Sequence, residues 1–327
     1  MRAIVWTAYG PPEVLRLQEV EKPAPKKNEI LVKVHATTVT TGDCEMRNLQ
    51  FPYWIRIPIR LYIGLRKPTR ITIPGMYLAG EVEAVGNEVT RFNVGDPIFG
   101  MAGMGLGAYA EYISLPEAGV AAIKPANMTY AEAAPMALGG LEALHFLRMA
   151  DVQPGERLLI NGAGGSIGTF GIQLAKHFGA EVTAVDSTPK LEMLRSVGAD
   201  HVIDYTQEDF TENGQTYDIL FDVIGKSPFS RSLKSLSQHG RYLIANPSGL
   251  IQFVRGRWAS RSGGKKVMFE MTSPKAEDLN TLKVLIETGK IKTVIDRCFT
   301  LEEIPEAHRY VESGQKIGNV IISVSRE

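Results

Sequence analysis

The chain has 327 residues, 36 Lys plus Arg against 36 Asp plus Glu, 44% hydrophobic residues and 22% charged ones. That is ordinary globular composition, long enough for two domains of roughly 100–200 residues each, and its neutral balance gives no electrostatic reason to expect nucleic acid as the main partner. Two cysteines, Cys44 and Cys298, are too few for a disulfide framework or a Cys-rich structural zinc site.

The start, Met1-Arg2-Ala3-Ile4-Val5-Trp6, turns polar at Thr7 with no secretory apolar stretch, and no run of about 18 apolar residues follows. A cytoplasmic chain with no membrane span is expected. Residues 1–124 read as β-rich: short runs such as Ile30-Leu31-Val32-Lys33-Val34 alternate with Gly, Pro and Asn. Gly75, Gly80, Gly86, Gly95, Gly100, Gly103, Gly105 and Gly107 mark a tightly turned segment, and together these features suggest a partly open barrel.

Lys124-Pro125 marks a boundary. Residues 129–149 are helical in pattern, and a strand at 157–160, a glycine turn and a second helix come next. Ile167, Phe170, Gly171, Leu174 and Phe178 lie on one face of that helix, and Gly179 ends it. A strand at 181–185, a helix at 189–197, and strands at 217–224 and 241–245 continue the alternation, which predicts a parallel sheet covered on both faces. Residues 266–271 are expected to form its edge strand, and 277–327 a helix, short turns and a strand at 320–324. The domains are then 1–124 with 277–327, and 125–276.

The turn is where chemistry becomes legible. Leu159-Ile160-Asn161-Gly162-Ala163-Gly164-Gly165-Ser166-Ile167-Gly168 joins strand to helix, the context that a dinucleotide fingerprint requires. A backbone that approaches a pyrophosphate must lack side chains, and the following helix offers its N–H groups and positive end to the phosphates. The spacing is A-x-G-x-x-G, not G-x-G-x-x-G, so the context carries the reading. Asp186 ends the next strand, where a carboxylate accepts from ribose hydroxyls and repels a 2′-phosphate, favouring NAD. Ser187 and Lys190 would instead serve a 2′-phosphate.

These residues resemble the medium-chain dehydrogenase/reductase superfamily, in its zinc-independent, quinone-oxidoreductase-like branch. The resemblance covers nearly the whole chain: Pro74-Gly75-Met76 leading into Ala79-Gly80-Glu81-Val82, then Val94-Gly95-Asp96-Pro97-Ile98-Phe99-Gly100 and Gly107-Ala108-Tyr109-Ala110-Glu111-Tyr112. It continues through Lys124-Pro125-Ala126-Asn127, the glycine turn, and Val197-Gly198-Ala199-Asp200-His201-Val202-Ile203-Asp204-Tyr205. It implies an α/β protein: a GroES-like, β-rich catalytic domain plus a Rossmann domain, a doubly wound parallel sheet, with the cofactor in the cleft between them. It also implies that Tyr205 lies near the adenosine, that Ile224, Gly225 and Asn246 follow strands flanking the nicotinamide, and that a homodimer forms through the edge strand. The branch more often uses NADP(H), so NADP(H) is preferred here, with NAD(H) also used.

Zinc-dependent relatives carry Cys where Thr40 stands and His where Met76 stands; neither replacement suits zinc, so no metal is expected. Many branch members have an acidic residue at the position of Tyr77 and Thr at that of Glu142. Without a Lewis acid, hydride transfer to a quinone or to the C=C of an α,β-unsaturated carbonyl fits better than alcohol oxidation. The expected substrate is a small lipophilic carbonyl compound or quinone. Thr40, Tyr53 and Tyr109 are the candidate polar groups near the reacting carbon. A low-turnover nucleotide-binding regulator or scaffold is the alternative.

Two segments are basic and aromatic. Residues 47–70 hold Arg47, Arg56, Arg60, Arg66, Lys67 and Arg70 among Phe51, Tyr53, Trp54 and Tyr62, with no acidic residue. Residues 253–266 hold Phe253, Arg255, Arg257, Trp258, Arg261, Lys265 and Lys266. They read either as a rim that admits flat lipophilic substrates or as solvated loops with interface-filling aromatics, with membrane contact and RNA binding as the less favoured alternatives that the same features allow.

Overall fold

A computed structural model describes residues 1–246, 256, 264–270 and 273–325. The chain forms two compact units: Met1–Ala137 with Lys275–Thr288 and Thr293–Glu327, and Leu138–Pro274 with Gly289–Lys292.

The first unit begins with an antiparallel pair, β1 (Arg2–Trp6) and β2 (Leu15–Glu19). β3 (Glu29–Val39) is the spine of a larger sheet. It is followed by two helices, α1 (Thr41–Asn48) and α2 (Tyr53–Ile63), then β4 (Tyr77–Val85), β5 (Pro97–Met101), β6 (Tyr112–Pro116), β7 (Ala121–Ile123) and the one-turn helix α3 (Tyr130–Ala133). The two helices differ from the all-strand reading of 1–124. Pro52 and Pro58 in the second, and Gly42 in the first, are turn signals by sequence; here Pro52 caps the second helix and Pro58 is tolerated within it.

The second unit is the alternating one. α4 (Met136–Met149) leads to β8 (Arg157–Asn161), α5 (Ser166–His177), β9 (Glu181–Asp186), α6 (Leu191–Ser196), β10 (His201–Asp204), β11 (Tyr217–Asp222), α7 (Phe229–Lys234), β12 (Leu236–Ile244) and β13 (Lys266–Met268). The strands are parallel in the order β10-β9-β8-β11-β12-β13. This is the doubly wound order of dinucleotide-binding sheets, with its switch point between β8 and β11. Among the described residues β13 is the last strand of this sheet, shorter than the 266–271 expected, and Met271 lies outside the described residues.

The chain then returns to the first unit with α8 (Ala276–Glu287), β14 (Ile295–Thr300), α9 (Ile304–Glu312) and β15 (Asn319–Ser323). β14 and α9 were read as turns from sequence. β14 alternates weakly, since Asp296, Arg297 and Thr300 interrupt its apolar positions. The first unit's large sheet runs β14-β15-β3-β4-β5-β7, with β6 also on β3. Its core gathers Trp6, Ile30, Leu78, Ile98, Tyr109, Ile304 and Ile322; burying such side chains contributes about 1.5–3 kcal/mol each. Among the described residues, no helix is long and apolar enough to cross a membrane.

Candidate active site

At the carboxyl end of β8 the chain turns through Gly162, Ala163, Gly164 and Gly165 into α5. A Cβ at Gly164 would stand 2.4 Å from Lys190 Cδ and 2.8 Å from Asp186 Oδ2. At Gly168 it would stand 2.4–2.6 Å from Ala163 backbone and block the packing of α5 on the turn. Gly165 is the N-cap and lends α5 no side-chain cap, so the first N–H groups of α5 await an outside acceptor. Ser166 and Ile167 form its first turn, and the buried Ser166 Oγ has no hydrogen-bond partner. A side-chain-free cradle, an uncapped helix start and an orphan hydroxyl all suit a phosphate group.

The expected adenosine-side residues converge here. Asp186 Oδ2 accepts the Gly164 N–H at 2.7 Å, and Oδ1 accepts the Ser187 N–H at 2.8 Å. Lys190 Nζ lies 3.1 Å from Asp186 Oδ1, with both side chains largely buried. Asp186 is thus already neutralised by its neighbour, which sequence alone did not reveal. The Tyr205 N–H donates to the Asp186 carbonyl, and its ring is exposed.

Ile224, Gly225 and Asn246 form a second group, beyond β11. Asn246 Nδ2 donates to Val223 O at 2.8 Å, and the Gly225 N–H donates to Asp222 Oδ1 at 3.0 Å. Fully buried Asp222 also accepts from Asn161 Nδ2 at 3.0 Å, from the Ser227 N–H at 3.2 Å and from the Tyr242 hydroxyl at 3.1 Å. The bond to Asn161 ties the ends of β8 and β11 together at the switch point. Asp222 therefore organises this loop, a role its bare position in the sequence did not disclose.

In the first unit, Thr40 is the N-cap of α1. Its Oγ1 accepts the Asp43 N–H at 3.0 Å and donates to Asp43 Oδ2 at 2.6 Å, while the Thr40 N–H donates to the same oxygen at 2.8 Å. This is a capping box with Asp in place of Glu, and T-x-x-D was its overlooked sequence signal. Burial raises the Asp43 carboxyl to about 6, against its bonds to Thr40. The fully buried Tyr109 hydroxyl lies beside Asp43, short of good hydrogen-bond geometry, and burial raises it well above the usual phenol range.

Behind them lies a polar cluster assembled from distant parts of the chain. Cys44 Sγ is 3.4 Å from His308 Nδ1, and the His308 ring meets Tyr109 edge-on. Burial, helped by Arg47, pushes His308 down to about 3, and burial pushes the Cys44 thiol up. Arg47 is enclosed; it donates to Gly10 O at 2.9 Å and pairs with Glu312. Cys44 is thus a packed thiol, not a reactive one.

The structure brings Thr40 and Tyr109 together around Asp43. Tyr53 begins α2, is 79% exposed, and is not part of that group. Phe253, Arg255, Arg257, Trp258 and Arg261 lie outside the described residues. Among the described residues, no three His, Cys, Asp or Glu side chains gather as a metal site.

A doubly wound sheet with a glycine turn at its switch point is the architecture of dinucleotide-dependent enzymes. Residues 26–125 match the alcohol dehydrogenase GroES-like domain, and residues 197–322 match a family described as zinc-binding dehydrogenase. The chain is 32% identical to 2-methylene-furan-3-one reductase of Solanum lycopersicum, over 98% of this chain and 79% of that protein. It is 31% identical to an NADPH-dependent alkenal/one oxidoreductase of Arabidopsis thaliana, with the same coverage. The quinone oxidoreductase of Coxiella burnetii has the same fold, at a TM-score of 0.88 and 28% identity over 99% of both chains. The chain is an oxidoreductase and belongs to the medium-chain dehydrogenase/reductase superfamily, in its quinone-oxidoreductase-like branch.

Proposed function

We propose that this oxidoreductase delivers hydride from NAD(P)H to a quinone or to the C=C of an α,β-unsaturated carbonyl, without a metal. The observation that carries the reading is the 163–168 turn, on which Asp186 and Lys190 converge. Family membership supplies the acceptor class, since the relatives named above are enone and quinone reductases.

In this reading Ala163, Gly164, Gly165, Ser166, Ile167 and Gly168 hold the pyrophosphate; Asp186, Ser187, Lys190 and Tyr205 the adenosine end; Ile224, Gly225 and Asn246 the nicotinamide half. When bound, the reduced nicotinamide supplies the hydride. NADP(H) is preferred because Lys190 offsets Asp186 and can face a 2′-phosphate.

Thr40 is the hydroxyl offered to the substrate oxygen. With Asp43 ionised, the Thr40 proton points inward to Asp43 Oδ2. A proton on Asp43 reverses that bond, so Thr40 then donates outward to the oxygen on which enolate charge develops. Tyr109 acts through Asp43 as a positioning residue, and Tyr53, outside that group, is the contact for the distal part of a flat acceptor. Thr40 and Met76, at positions where zinc-dependent relatives carry ligands, support metal-free chemistry; stoichiometric zinc found by elemental analysis would refute that part. A reducing, cytoplasmic setting fits the two free cysteines.

The test is a panel of quinones, enones and simple alcohols with 4-deuterated NADPH and NADH. Deuterium at the β-carbon of a reduced enone, or deuterium-dependent slowing of quinone reduction, is expected. Alcohol oxidation with no turnover of enones or quinones overturns the proposal, as does tight cofactor binding with no turnover at all, the mark of a regulator.

A further inference from the structure

α2 presents an unusual face to solvent. Ile59 and Ile63 hold it to the core of the first unit. On the other side lie two adjacent rows at four-residue spacing, Tyr53–Ile57–Leu61 and Trp54–Pro58–Tyr62, all exposed. At 100° per residue these rows span about half the helix circumference without one charged side chain. The five non-proline residues are 44–79% exposed. An ordinary surface helix shows the opposite pattern.

The patch extends past the helix. Leu65 is exposed just beyond it, and the Tyr62 hydroxyl contacts the Met104 carbonyl, which brings exposed Met104 alongside. Among the described residues, seven of the twelve exposed large hydrophobic side chains belong to this one patch. Scattered apolar exposure needs no explanation, but a contiguous patch marks an interaction surface.

Charge selects the partner. Arg56 and Arg60 border the apolar rows, and exposed Arg66, Lys67 and Arg70 follow directly; no acidic residue occurs from 46 to 80. A second copy docked face to face would bring these cations together. An anionic headgroup layer would complement all of them, while the apolar rows enter the acyl boundary and Trp54, Tyr53 and Tyr62 sit at headgroup depth.

We propose that the exposed face of α2, with Leu65, Met104 and the basic residues around it, docks reversibly on an anionic lipid bilayer, the helix lying in the plane of the interface. The inference rests on the surface alone and stands whatever reaction the enzyme performs.

Flotation of the full-length protein with vesicles tests it. Binding is expected to vesicles of phosphatidylcholine with phosphatidylglycerol, far less to phosphatidylcholine alone, and to weaken as salt rises. A blue shift of Trp emission on binding is expected to disappear in Trp54→Phe. Ile57→Glu with Leu61→Glu is expected to cut the bound fraction by about tenfold or more; Arg66→Gln with Lys67→Gln is expected to cut it several-fold and flatten the salt dependence. Both pairs are exposed, and thermal melts matching the parent confirm that the fold is kept. No binding to anionic vesicles overturns the proposal, as does binding unchanged by Ile57→Glu with Leu61→Glu. Self-association lost in that variant, with no vesicle binding, would assign the face to a second copy instead.

Discussion

Asp186 carries the Gly164 N–H on one oxygen and the Lys190 ammonium on the other, so its charge does not simply repel a 2′-phosphate. Lys190→Ala removes the compensating cation, and NADPH affinity is expected to fall by about 1 kcal/mol or more relative to NADH, several-fold to tenfold in the ratio. Asp186→Ser is expected to weaken both cofactors through the lost Gly164 bond while moving the ratio toward NADPH. Fluorescence titration with each cofactor measures both; an unchanged ratio in both variants would place the pair away from the ribose. His308 makes a separate prediction. Its folded pKa is depressed to about 3, below the unfolded value of about 6.5. The stability it contributes is therefore complete above pH 6.5 and is lost as pH falls toward 3. By pH 5 that loss is about 2 kcal/mol. His308→Phe removes it, so urea melts at pH 7.5 and 5 should show the variant gaining on the parent by about that amount. Asp43 acts on activity: with its carboxyl near 6, the kcat/KM profile of the parent should bend near that pH, and Asp43→Asn should abolish the bend with the capping box largely retained. A bend unaltered in the variant would remove Asp43 from the proton path.

Among the elements, the β8–turn–α5 unit has no room for an added side-chain atom at Gly168. Gly168 packs against Ala163 backbone, which cannot swing aside as a flexible side chain can. Gly168→Ala is expected to lever the start of α5 off the turn and to destabilise the protein by about 1–3 kcal/mol. Cofactor affinity should fall by at least about tenfold, because the helix N–H groups lose their aim. Thermal melts and cofactor titration on one preparation separate the two effects, and a variant with parental affinity would remove the turn from phosphate binding. α2 shows the reverse economy: it is held by few inward residues, and its outer face contributes little to folding, so substitutions there should register in association and not in stability.

For the whole molecule, β13 is the last strand of the six-stranded sheet among the described residues. The family resemblance implies a homodimer joined there, and that is the expectation for this chain. Light scattering at micromolar concentration should give twice the chain mass; a monomer with and without cofactor would count against it.

The run β8–α5–β9–α6, the strands β11 and β12 and the glycine turn were legible from the amino-acid order, because each depends on local periods and on residues that lack a side chain, whereas β10 and α7 were not read. The neighbourhood of Asp186 was legible in part: its place after β9 was, its ion pair with Lys190 was not. α1 and α2 were not read. Gly42 punctuates the first and Pro58 the second, and the outward face of α2 is apolar, so the pattern of a surface helix is missing. β14 and α9 escaped because interrupted alternation resembles turns. The cluster of Asp43, Cys44, Arg47, Tyr109, His308 and Glu312 could be decided only by tertiary structure. Its members come from α1, a central loop and α9, up to 269 positions apart (312 less 43), and no local rule of spacing binds them. Packing alone brings them together, and burial then sets which of them hold protons.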